Sequence, residues 1–417
     1  MRAQETFQDK LHRPVLGKVV SALGEIFVHG RHADKVIESL GRASQPRLGS
    51  RDRRLLAESV YDSVRWWRPL WQVTQGSWPP TTDQLQNSQL WQVVGAWLIL
   101  YKNLETLPQW VEWQDLPPPQ TLRARFAGLS EFEQASFPDW LQELAERELG
   151  AEAWSQHRQA LNSLAPVFLR VNGLKITRGE LQQVLAEESV ETVVEEKVAS
   201  ALRLKVRAPV FRTEAFKKGY FEVQDLGSQQ IAPLLQVEPG HRVVDACAGA
   251  GGKSLHLAEL MQNRGRIIAM DIHQWKLDEL KVRARRAGVS SLETRLIEST
   301  KVIKRLRQQA DRLLLDVPCT GLGVLRRNPD SKWKLSLSEL ERLRQLQAQL
   351  LQNYSSTLKV GGKMVYATCS LLPSENRLQV KAFLDSQTGG WELEEELELW
   401  PEQGGGDGFY GARLRRL

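Results

Sequence analysis

Three cysteines, Cys247, Cys319 and Cys369, fall in the C-terminal half of the 417-residue sequence. Two stand in short segments suited to reactive chemistry. One reads Asp316-Val-Pro-Cys319-Thr-Gly-Leu-Gly323; the other reads Tyr366-Ala-Thr-Cys369-Ser370, with Pro373, Glu375 and Asn376 close behind. A thiolate adds to an electron-poor ring, and the covalent adduct splits one hard step into two easier ones. Such a step also needs an acid beside the ring, and Asp316 lies just before Cys319. Lys253 and Lys363 are candidate cations for lowering a thiol pKa. A lone cysteine is most often a small buried residue, and that reading is kept for Cys247, which lies inside a glycine-rich loop. An odd number of widely spaced cysteines argues against a disulfide framework. The histidines at 12, 29, 32, 157, 241, 256 and 273 make no ligand spacing with them, so no metal site is expected.

The glycine-rich loop runs from Asp245 through Cys247, Ala248, Gly249, Ala250, Gly251 and Gly252 to Lys253, between a strand and a helix. Glycines there let backbone N–H groups approach a ligand. The spacing is neither GxGxxG nor a P-loop. Acidic residues discriminate further: Asp245, Asp271, Glu298 and Asp316 close four successive strand candidates. Asp271 is placed to accept both ribose hydroxyls of an adenosine moiety. An acidic rim repels phosphate and suits a cationic sulfonium, which favours S-adenosylmethionine over NAD. The plain alternative for any one of these acids is a helix cap.

The elements that must hold these loops alternate strand and helix. Strands are predicted at 241–246, 266–271, 293–298, 311–316 and 363–368, with helices at 254–262, 274–287 and 336–357 and further strands at 391–400 and 409–417. This pattern predicts an α/β, doubly wound parallel sheet with ligands at the carboxyl ends of the strands. The N-terminal part differs: ten of the fourteen tryptophans lie in the first 154 residues. Residues 51–71 place Leu56, Val60, Val64, Trp67 and Trp71 on one face of an amphipathic helix. Residues 88–101 read as a buried helix, with prolines marking loops at 79–80 and 117–119. The tryptophan faces are expected to be core. Helices at 137–165, strands at 167–172 and 201–206, and a capping box from Thr177 to Glu180 suggest a small α+β subdomain. The expected domains are 1–135, all-helical; 136–220, small α+β; and 221–417, α/β.

DACAGAGGK, DVPCTGLG and YATCS resemble motifs I, IV and VI of the RNA cytosine-5 methyltransferases of the NOL1/NOP2/Sun type. VFLRVN, QDLGSQ and DGFYGARL extend the resemblance over roughly 160–417. It implies a Rossmann-like class I methyltransferase domain that transfers methyl from S-adenosylmethionine to C5 of cytosine. It implies Cys369 as the nucleophile at C6, Cys319 as the cysteine that assists release, and a cofactor site of Cys247–Lys253, Asp271, Glu298 and Asp316. The family loop commonly reads AAPGGK, so Ala250 stands in place of proline, and Glu298 stands where aspartate is usual. RDRRLLAESVYDSVRWW resembles the NusB-like RNA-binding domain attached to a bacterial small-subunit rRNA member of this family. That resemblance implies 16S rRNA as the substrate; tRNA, or a non-catalytic role in ribosome assembly, is the alternative.

A net charge of +6 and a pI near 9.2 are compatible with an RNA partner. Three basic clusters are candidates for phosphate contacts: Lys281, Arg283, Arg285 and Arg286; Lys301, Lys304, Arg305 and Arg307; and Arg326, Arg327, Lys332 and Lys334. The third follows the Cys319 loop and contains Trp333, a possible base-stacking residue. About half of these charges are expected simply to be solvated. No long apolar run and no secretory start are seen, so a cytoplasmic monomer is expected.

Overall fold

Short runs of Val, Ile and Leu become strands, because branched side chains pack well on a pleated surface. The computed structural model describes residues 11–43, 48–387 and 389–417. Part of the N-terminal stretch read for a secretory start lies outside them. Contacts divide the chain into two units: one reaches Arg147 and also takes Leu325–Leu335, and the other holds Glu148–Val324 and Ser336–Leu417.

The first unit is helical. The face expected across 51–71 is carried by two helices, Ser50–Arg65 and Trp67–Gln75, broken at Trp66. Pro69 explains the break: it has no N–H to donate to Arg65. The freed carbonyls find other donors. Lys332 Nζ donates to Arg65 O at 3.0 Å, and Trp333 Nε1 donates to Val64 O at 2.8 Å. Trp67, Trp71 and Trp97 are fully buried. Each such side chain contributes about 2–3 kcal/mol of transfer free energy. The expectation that residues 326–334 grip RNA is therefore corrected. Lys332 and Arg326 are buried, and Trp333 packs edge-on against Trp78 beside the helical core. The segment packs into the helical unit, and Trp333 is partly buried there, with its indole N–H spent on Val64 O.

The second unit contains two sheets. A four-stranded antiparallel sheet consists of β1 (Phe168–Val171), β2 (Thr192–Val194), β3 (Ala201–Leu204) and β4 (Phe221–Val223), in the order β2-β3-β1-β4. The Thr177–Glu180 capping box starts helix Arg178–Glu187 as expected. β2 and β4 have no counterpart among the sequence-predicted strands, because three residues are too few for a visible alternation. The larger sheet comprises β5 (Arg242–Asp245), β6 (Arg266–Asp271), β7 (Leu292–Leu296), β8 (Ala310–Asp316), β9 (Leu358–Thr368), β10 (Trp391–Leu399) and β11 (Phe409–Arg416). Its order is β10-β11-β9-β8-β5-β6-β7. β5 through β9 pair in parallel, while β11 and β10 run antiparallel at one edge, so the sheet is mixed rather than wholly parallel. Exposed glutamates along β10 keep that edge from pairing with another chain. The order reverses between β5 and β8, which opens a crevice at their carboxyl ends.

Candidate active site

The loop after β5 is held from several sides. Ala248 N–H donates to Met270 O at 2.9 Å, and Gly249 N–H donates to Asp271 Oδ2 at 3.0 Å. Gly251 caps helix Gly252–Leu260 with φ near 84°, and a Cβ there would lie 1.9 Å from Leu280 Cδ1. Only glycine meets both conditions. Arg283 donates to Ala250 O at 2.8 Å and to Glu222 at 3.0 Å; Arg170 donates to Gly252 O at 2.7 Å. These guanidinium contacts restrain the loop where Ala250 lacks a proline ring. They also correct part of the RNA expectation. Arg283 and Arg286 both bind the buried Glu222, so these two members of the cluster are structural, while Lys281 and Arg285 stay exposed.

The same loop fits a cationic nucleoside cofactor. Residues Cys247–Ala250 are partly open, and Gly249 has clear space where a Cβ would stand. Asp245 is buried beneath the loop; Ser254 donates to its Oδ2, while its Oδ1 has no hydrogen-bond partner. Burial pushes the Asp245 carboxyl up to about 7, against the Ser254 hydrogen bond. Asp271 closes β6 and is nearly buried. Glu298 lies two residues beyond β7 and is exposed, so it borders the rim rather than ending a strand. Burial, then Asp245, Asp316 and Asp271, push the Cys247 thiol upward. That environment suits a packing residue and not a nucleophile.

The loops after β8 and β9 bring the other two cysteines together. Their Sγ atoms are 3.4 Å apart, although 50 residues separate them in sequence. Cys369 N–H points at Cys319 Sγ at 3.3 Å. The Cys369 contact, then burial, then the charges of Cys369 and Glu375 push the Cys319 thiol well above its usual range. Gly323 N–H donates to Cys369 O at 2.8 Å, and a Cβ on Gly323 would lie 2.2 Å from Gly408 O. Lys253 Nζ meets Asp316 Oδ2 at 2.6 Å. Burial lowers the Lys253 pKa, but Asp316, with Cys369 and Asp245 behind it, raises it overall. Lys363 is a different case. It binds Gln236 and Glu394, five residues up the strand from Thr368, and takes no part in the thiol cluster. Glu375, marked in the sequence only as close behind Cys369, bonds to both cysteine loops through its carboxylate.

This sheet order, loop and acidic rim define an S-adenosylmethionine-dependent class I methyltransferase. The family described as 16S rRNA methyltransferase RsmB/F matches residues 232–415, and the RsmF/B-like ferredoxin-like domain matches residues 137–211. The ribosomal RNA small subunit methyltransferase B of Serratia proteamaculans is 30% identical over 95% of this chain and 97% of its own length. A Synechocystis protein described as a probable ribosomal RNA small subunit methyltransferase B is 39% identical; that match spans 60% of this chain and 57% of the relative. The structure entitled PH0851 has a TM-score of 0.79 at 24% identity, covering 96% of this chain and 99% of its own, and is alike in fold. The chain belongs to the ribosomal RNA small subunit methyltransferase B family. Among the described residues, no helix is long and apolar enough to cross a membrane.

Proposed function

We propose that this chain methylates C5 of a cytosine in 16S rRNA through a covalent adduct between Cys369 and C6 of the base. The observation that carries this reading is the 3.4 Å pair of thiols at the ends of β8 and β9, beside the Lys253–Asp316 ion pair. Cytosine C5 is a poor nucleophile. Addition of the Cys369 thiolate to C6 moves electron density to C5. S-adenosylmethionine supplies the electrophilic methyl group and departs as S-adenosylhomocysteine. Asp316, held by Lys253 at 2.6 Å, is assigned to accept a hydrogen bond from the exocyclic amino group of the base. A solvent base takes the C5 proton, the C–H electron pair forms the C5=C6 bond and the Cys369 thiolate leaves, which restores the aromatic ring, with Cys319 assisting this release. Incubating the full chain with 16S rRNA and methyl-labelled cofactor is expected to yield labelled 5-methylcytidine. Label in another nucleoside, or in tRNA only, defeats this reading.

Asp245 makes cofactor binding pH-dependent. Its carboxyl is protonated below about 7, and a cationic cofactor favours the ionised form. The Kd for S-adenosylmethionine, measured by calorimetry without RNA, is expected to fall about three- to tenfold from pH 6 to pH 8. Asp245→Asn is expected to flatten that dependence. An unchanged slope in the variant refutes the assignment.

Of the three basic clusters, only Lys301, Lys304, Arg305 and Arg307 are exposed at every member among the described residues. All four are exposed just past β7, and none has an acidic partner among the described residues. They are assigned to rRNA phosphates. Changing all four to Gln is expected to weaken rRNA binding at least about tenfold at moderate salt. The plot of log K against log salt should become shallower by about 0.7–0.9 for each lost contact. An unaltered salt slope rules these residues out.

A further inference from the structure

Glu375 is fully buried, yet no cation is bonded to its carboxylate among the described residues. A buried charge of this kind persists only if hydrogen bonds replace its water. Four do. Thr320 N–H and Gln347 Nε2 each donate at 2.9 Å to Oε1; the Thr320 and Ser370 hydroxyls each donate at 2.5 Å to Oε2. Thr320 follows Cys319 and Ser370 follows Cys369. Adjacent groups tighten the same knot. Asn376 Nδ2 donates to Ser370 O at 3.0 Å, and the Tyr366 hydroxyl donates to Glu375 O at 2.6 Å.

We propose that Glu375 is a positioning residue: its carboxylate ties the residue after Cys319 to the residue after Cys369 and so sets the thiol contact on which methyl transfer depends. This rests on the reading given above. The two loops leave adjacent parallel strands, and no disulfide joins their cysteines. Glutamine at 375 exchanges one acceptor oxygen for a donor, so the four donors lose half of what they bind. The negative charge has a second effect. It stands close enough to Cys319 to oppose a thiolate there, after the larger effects of Cys369 and burial. The proton is thereby kept on Cys319 while Cys369 attacks.

The test uses two variants of the full chain, Glu375→Gln and Thr320→Val. The first removes the charge and part of the tether; the second removes one tether bond and keeps the charge. The kcat for rRNA methylation is expected to fall about 10- to 100-fold in Glu375→Gln, and less in Thr320→Val, as sub-ångström misplacement of reacting groups does. The cofactor Kd should stay within about twofold in both. In a Cys369→Ser background, the pH for half-maximal iodoacetamide labelling of Cys319 should fall in Glu375→Gln and hold in Thr320→Val. A kcat within twofold of the unaltered chain, or an unmoved labelling curve in Glu375→Gln, overturns the proposal. So does a cofactor Kd that weakens in step with kcat, which marks a general structural role. The labelling needs no RNA. A shifted curve together with no 5-methylcytidine from the unaltered chain therefore defeats the function reading alone.

Discussion

The Cys369→Ser chain is expected to methylate rRNA at least about 10⁴-fold more slowly than the unaltered chain, a loss of about 5.5 kcal/mol of transition-state stabilisation. An alcohol holds its proton far more tightly than a thiol, so serine offers almost no anion to add to C6. Cys319→Ala is expected to behave differently: under the proposed release role of Cys319 it should accumulate a covalent RNA adduct that survives denaturing electrophoresis. Two thiols 3.4 Å apart reach the same ring, so distance does not choose between them. Their surroundings do. Cys319 is pushed toward the neutral thiol by Cys369, by burial and by Glu375. An adduct that accumulates in Cys369→Ala and not in Cys319→Ala would reverse the two roles. No adduct in either, with native RNA or with RNA containing 5-fluorocytosine, would remove covalent catalysis altogether.

Replacing Lys253 with Met should have the next largest effect. The Lys253 side chain is about 11% exposed and its partner Asp316 about 28% exposed, so the variant leaves a half-buried carboxylate without its cation. Breaking a fully buried pair costs about 3–5 kcal/mol, and the exposure of Asp316 reduces that toward about 2–3 kcal/mol. The expected result is a fall in kcat/KM of about 100-fold at pH 7. Lys253→Arg keeps the charge and should retain most of the activity. A Lys253→Met chain within about threefold of the unaltered activity would remove this ion pair from the site's machinery.

Much of this was legible in the sequence because it is local. Five parallel strands read as short apolar runs, and four of them match the observed strands to within about two residues at both ends. The first positions of β9 were missed, since Lys359, Gly361 and Gly362 interrupt its pattern. The cofactor loop was readable because a strand-to-helix turn with crowded neighbours demands glycine at Gly251. The helix break at Trp66 was missed, although Pro69 signalled it, because the apolar face continues across the interruption.

Cys369, the starting point of the chemistry, shows where sequence stops and tertiary structure begins. Residue type and flanking motif marked it, Cys319 and Asp316 as a reactive set, because those signals lie within a few consecutive residues. Pairing of β8 with β9 brought the two thiols into contact, and burial made Glu375 a tether rather than a surface acid. The fates of the basic clusters were likewise settled in three dimensions. Arg283 and Arg286 found Glu222, some sixty residues earlier, while Lys332 and Trp333 found the carbonyls of a broken helix more than 260 residues away. Charge and aromaticity are properties of single residues and are visible in the sequence. Whether they face water or a partner depends on contacts between distant segments, and no local pattern encodes those.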